Sequence, residues 1–237
     1  MKPLPMTEYY EAQTFLLRLE RRTEEVSEAV RQAKYDLRTA EEALLNYQTG
    51  IRAFLDRFSG KRAETEETLR RRVRDAEAKR KTLLQEQESL NRRKTEWKER
   101  LKDLPSRDQL RQSADAKQWA ALEAKYCAEA LAPLLTENHK ALLEYRSLLR
   151  GEHPILTPQR QQEICAEPNV WAERCVPYLH RLNEALDILE IPFVPGSYYE
   201  SPVAYLVNVA ADHNRRDRVN QALDQVEKIQ RIVKEMK

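Results

Sequence analysis

The chain has 237 residues, 34% of them charged and only 4 of them glycine. That composition argues against a compact α/β enzyme, which needs glycine for its turns, and for long helices with solvated faces. Net charge is +2, so no global field draws the chain to nucleic acid or membrane. The balance is uneven, with Lys61–Leu104 at net +5 and Glu152–Glu200 at net −5.

Met1–Thr7 lacks the apolar run of a signal peptide. The longest charge-free stretch, Ser201–Ala211, is about half of what a membrane span requires. Cys127, Cys165 and Cys175 are odd in number and loosely spaced, which reads as reduced thiols and a cytoplasmic location.

The strongest pattern begins at Tyr9. Steps of three and four residues reach Ala12, Leu16, Leu19, Thr23, Val26, Val30, Ala33, Leu37, Ala40, Leu44, Tyr47, Ile51, Phe54 and Phe58, and only Thr23 is polar. A strict seven-residue apolar repeat implies a left-handed supercoil. The spacing predicts one helix from about Thr7 to Phe58, with Gly50 inside it at a cost of about 1 kcal/mol. Ser59-Gly60 is the expected turn.

A second helix follows on Leu69, Val73, Ala76, Arg80, Leu83, Gln87, Leu90, Lys94, Trp97, Leu101 and Leu104. Arg80, Gln87 and Lys94 thin its stripe. A short link folds two such helices back antiparallel, so the expected neighbours of Leu44 are Asp75 and Ala76. Leu104-Pro105 ends the second helix, and Ser106 with Gln109 forms a capping box.

A third helix is expected from about Arg107 to Arg150, bent at Pro133 and stopped by Gly151 and Pro154. Its alanine-rich face, Ala114, Ala121, Ala124 and Ala128 with Leu131, is expected to face the hairpin and complete a three-helix core. Beyond it, Thr157-Pro158 caps a short helix to about Ala166, and another runs from about Asn169 to Glu190. Ile191–Tyr199 is apolar and aperiodic. Ser201-Pro202 opens a last helix, whose stripe is Val219, Ala222, Val226, Ile229, Val233 and Met236.

The expected fold is therefore all-α: a long antiparallel coiled-coil hairpin extended by a third, kinked helix and a smaller C-terminal helical region. The domain division is 1–151 and 152–237, with a Pro/Tyr loop at 191–200.

Chemistry is sparse. Cys165, Cys175 and His180 match no structural zinc spacing, and Cys175 and His180 point apart on a helix. No phosphate loop, G-x-S-x-G or H-E-x-x-H is present. No catalytic residue, metal, cofactor or small-molecule substrate is expected, and the chain is not expected to be an enzyme.

The basic clusters of the second helix offer a candidate anion-binding surface at Arg72, Arg74, Arg93 and Lys98. Against it, acids stand four residues before many bases, in Glu66–Arg70, Glu67–Arg71, Asp75–Lys79, Glu77–Lys81, Glu88–Arg92 and Glu96–Arg100. Arg215, Arg216 and Arg218 lack the helix-turn-helix context of a DNA reader. The candidate partner-binding residues are Phe193, Tyr198, Tyr199, Val226 and Val233.

The expected function is a structural or assembly protein acting through coiled-coil protein–protein contacts, as a homo-oligomer, an adaptor or both. The alternative is binding of an anionic surface, membrane or nucleic acid, through the second helix.

Overall fold

The computed structural model describes residues 5–59, 62–113, 115–153, 155–207 and 212–236. Among these the fold is all-α, and no helix is long and apolar enough to cross a membrane. The helices are α1 (Pro5–Thr49), α2 (Ile51–Ser59), α3 (Arg62–Lys102), α4 (Arg107–Ser113), α5 (Ala116–Leu149), α6 (Pro158–Ile188), α7 (Ser197–Glu200), α8 (Pro202–Val207) and α9 (Asp212–Glu235).

The chain divides into two compact units, but not at residue 151. One is Phe15–Asp103; the other joins Met1–Thr14 to Leu104–Lys237. The division follows packing rather than sequence order, because Met6 and Tyr10 lie in the same apolar core as α5, α6 and α9.

In the unit Phe15–Asp103, α1 and α3 run antiparallel. Asp36 meets Lys79, Ser27 meets Gln87 and Glu20 meets Lys94. The heptad frame locates the inward face well. Leu16, Leu19, Val26, Ala33, Leu37 and Tyr47 are buried. On α3 the frame positions are half-buried, and Leu90 is fully so. The polar positions of that stripe reach polar partners on α1: Gln87 Nε2 donates to Ser27 Oγ at 2.8 Å, and Lys94 Nζ lies 3.2 Å from Glu20.

Gly50 corrects the first expectation. It is a bend between α1 and α2, not a residue within one helix. A Cβ there would meet the Asn46 carbonyl oxygen at 2.6 Å, so only glycine fits this backbone path. The apolar repeat runs through the break, which is why periodicity alone missed it. The register shifts as well. Ala43 and Tyr47 share a groove with Thr65, Thr68 and Leu69, so the level of Leu44 is several residues nearer the connection than Asp75–Ala76. Gly60, half of the expected turn, lies outside the described residues.

The other unit is built on α5. The Ser106 capping box forms as read: Ser106 N–H donates to Gln109 Oε1 at 2.8 Å, and Gln109 N–H donates to Ser106 Oγ at 3.3 Å. The expected single third helix is two, α4 and α5. Asp115 caps α5 by accepting from Gln118 N–H at 2.9 Å. The same D-x-x-Q spacing was present in the sequence. Asp115→Ala should cost about 1 kcal/mol of stability, read by urea unfolding; an unchanged midpoint would mean that the cap is redundant.

Ala124, Ala128 and Leu131 are buried, but among α6 and α9 side chains such as Ile164, Leu182 and Val226. Ala121 is exposed, and Ala114 lies outside the described residues. The core around α5 is built with α6 and α9. The buried face of α5 extends beyond the alanine-rich face, with Trp119, Ala120, Glu123 and Cys127 buried as well.

The break expected near Ala166 is absent, and α6 passes through Pro168 and Pro177. Each proline removes a backbone donor. Ile164, Ala172, Cys175 and Leu179 bury a continuous stripe across both, and that packing outweighs the loss. Gly151, at φ 69°, ends α5 as anticipated. The last helix is described in two pieces, α8 and α9, and its stripe Val219, Ala222, Val226, Ile229 and Val233 is buried.

Candidate functional site

Glu123 is the one charged residue among the described residues that is fully buried. It stands on α5 four residues after Trp119 and four before Cys127, on the apolar face. Desolvation alone would turn an isolated carboxylate there into a neutral acid. Three side chains prevent it. Arg181 Nε, from α6, donates to Oε1 at 2.6 Å, and Arg107 Nε, from α4, donates to the same oxygen at 2.9 Å. The Tyr10 hydroxyl, from the start of α1, donates to Oε2 at 2.5 Å.

The network extends outward. Arg107 also donates to Glu184 at 2.7 Å, and Arg111 pairs with Glu184. Arg107 and Arg111 lie 5.2 and 5.4 Å from the centre of the Trp119 ring, and Arg181 lies 4.9 Å from that of Tyr126. Flat guanidinium groups suit this double duty, because they donate in plane and stack on rings by their faces.

The electrostatics follow. Burial pushes the Glu123 carboxyl up, but hydrogen bonds from Arg181, Tyr10 and Arg107, with the Arg181 charge, carry it below its ordinary value. Burial, then the hydrogen bond to Glu123, raises the Tyr10 hydroxyl well above its ordinary value. Burial also pushes the Cys127 thiol up to about 12, and the thiol lies 4.0 Å from Glu123 Oε1. Each oxygen of Glu123 is already engaged by an internal donor. The arrangement suits a tie between α1, α4, α5 and α6 better than proton transfer to a substrate, which needs an accessible group.

Little in the sequence marks this site. Tyr10, Arg107, Glu123, Arg181 and Glu184 were not singled out. The available signal was an acid at apolar helical spacing within Trp119, Glu123 and Cys127.

The five candidate partner-binding residues are placed differently from expectation. Phe193, Tyr198, Tyr199, Val226 and Val233 are all buried in the chain's own core. The segment after α6 acts as a clamp. Tyr198 hydroxyl donates to the Pro168 carbonyl at 2.9 Å and to Asn138 Oδ1 at 3.3 Å, while Tyr198 N–H donates to Gln225 at 3.0 Å. Gly196, at φ 94°, lets the chain pass where a Cβ would strike Gln225.

The candidate anion-binding residues are exposed but mostly engaged. Arg74 holds Glu67 at 2.7 Å, Lys98 lies 3.4 Å from Glu20, and Arg93 stacks over Phe15 at 5.6 Å. Arg72 borders the groove with Thr68 and Leu69. Of the six expected ion pairs, Glu66–Arg70 forms at 2.7 Å. Lys79 reaches instead across to Asp36, and Arg100 lies over Trp97.

Cys127 and Cys175 are buried, Cys165 is half-buried, and all three are free thiols. Among the described residues no three His, Cys, Asp or Glu side chains converge to hold a metal ion. Comparison of the chain with protein-family models, with curated proteins and with solved structures finds no match.

Proposed function

We propose that the protein is a non-enzymatic assembly protein that self-associates through a coiled coil of its α1–α3 pair. The observation that carries this reading is the incomplete burial of the apolar stripe in the unit Phe15–Asp103. Val30, Ala40 and Leu44 on α1, with Leu69, Val73, Leu83, Trp97 and Leu101 on α3, are only half-buried. Two helices cannot enclose a seam that three or four can, and wet apolar surface favours association at about 25 cal/mol per Å². The cross-pair contacts of Gln87 and Lys94 act as register marks, the role best attested for polar residues in such seams. The three free thiols fit a reducing cytoplasm.

Light scattering across micromolar concentrations tests the reading. The expected result is a dimer or larger species. Val30→Glu should raise its dissociation constant by about tenfold or more, the equivalent of about 1.4 kcal/mol. A strict monomer at every concentration removes the proposal.

A further inference from the structure

Beyond self-association, we propose that α2 is a docking surface for an anionic phospholipid bilayer. The bend at Gly50 is the origin of this surface. Had α1 continued, the heptad frame would have carried Ile51 and Phe54 into the inward stripe. Instead Ala53 is buried, while Ile51, Phe54 and Leu55 are 79%, 59% and 60% exposed. Positions 51, 54 and 55 share one face of a helix, so α2 is amphipathic with its apolar side turned to solvent.

Two observations select the occupant. The first is area. The three exposed residues offer on the order of 400 Å², about half of what each partner contributes to a stable protein–protein interface. That is too small for a second copy to dock on this face alone. The second is charge. Residues 51–62 carry Arg52, Arg57, Arg62 and Lys61 against a single acid, Asp56. Asp56 accepts a hydrogen bond from the Tyr47 hydroxyl at 3.0 Å, so part of its charge is directed back to α1. Arg57 is exposed. A short exposed apolar face in a segment of net positive charge is the pattern of a helix that lies in a headgroup layer, its apolar side chains inserted and its bases available to lipid phosphates.

The surface differs from the basic clusters of α3, where Arg74 and Lys98 are paired with acids. Here apolar insertion and charge act together, and binding requires both.

The test is sedimentation of the full chain with vesicles of phosphatidylcholine, with and without phosphatidylserine. The expected result is co-sedimentation with the phosphatidylserine vesicles, weakened by salt. Ile51→Glu combined with Leu55→Glu should reduce it by about tenfold or more, because a charge on the inserting face opposes burial. Ile51→Leu with Leu55→Met, which keeps the face apolar, should bind as the parent does. Circular dichroism checks that both pairs keep their helix content. The proposal is overturned by absence of co-sedimentation, by equal binding to phosphatidylcholine alone, or by unchanged binding of the Glu pair. It is also overturned if the Glu pair abolishes self-association in lipid-free light scattering while the parent ignores vesicles, which would assign the face to a second copy.

Discussion

Glu123→Ala should destabilise the protein by about 3–5 kcal/mol, the usual cost of removing one member of a buried ion pair. The cause is not the lost attraction alone. Arg107 and Arg181 would remain near a low-dielectric site without the carboxylate that balances them. Glu123→Gln keeps the volume and should lose nearly as much, because the charge is what the two guanidinium groups require. Tyr10→Phe should cost about 1.5–3 kcal/mol, the range for a hydrogen bond to a charged group. Chemical unfolding followed by circular dichroism measures all three. If Glu123→Gln unfolds at the parent's midpoint, the network is not holding the fold.

The same site sets an acid limit. The folded-state value of Glu123 is below its ordinary 4.5. Between the two, the unfolded chain binds more protons than the folded one. The contribution to stability is therefore complete above the ordinary value and is lost as pH falls through the folded value. Stability plotted against pH should fall more steeply for the parent than for Glu123→Gln in that acidic window. Parallel curves would show that Glu123 contributes nothing to acid unfolding.

Val226→Glu should unfold the unit built on α5 and not merely dissociate an oligomer. Val226 is fully buried in α9, within the core it shares with Leu131 and Leu182. A carboxylate placed there has no cationic partner on the same stripe, whose other members are Val219, Ala222, Ile229 and Val233. It would have to take up a proton or open the core, at more than about 4 kcal/mol, a size tied to buried unpaired charge. The expected signature is loss of cooperative thermal unfolding. If Val226→Glu keeps its melting temperature and only changes from oligomer to monomer, then α9 faces a second chain, and its burial within one chain is not the state in solution.

Legibility varied with the kind of signal. Regular apolar spacing located the inward faces of α1, α3 and α9, because a helix displays every third or fourth residue on one side. The Ser106 and Thr157 caps and the Gly151 stop were readable because each is a local bond between near neighbours. Gly50 and Pro168 misled in opposite directions. At Gly50 the repeat was intact but the backbone bent; at Pro168 the residue signals a break but the core carries the helix through, as it does through Pro177 within the expected helix. Glu123 was hidden because an acid in a helix normally faces water. Its donors come from residues 16, 58 and 113 positions away, and no single-chain periodicity encodes such distances. The clamp at Tyr198 was hidden for the same reason.

Tyr10 and Glu123 are 113 residues apart, and Arg181 follows another 58 later. A ribosome therefore delivers the opening turns of α1 long before anything exists for them to bind. Residues 15–103 can pair locally in the meantime, and doing so draws residues 14 and 104 together, which lowers the entropic cost of the long closure. The unit built on α5 can close only after α6 has emerged. Until then Met6 and Tyr10 stay apolar and uncovered, a waiting period in which a nascent chain is open to capture by chaperones or by its neighbours on the same message.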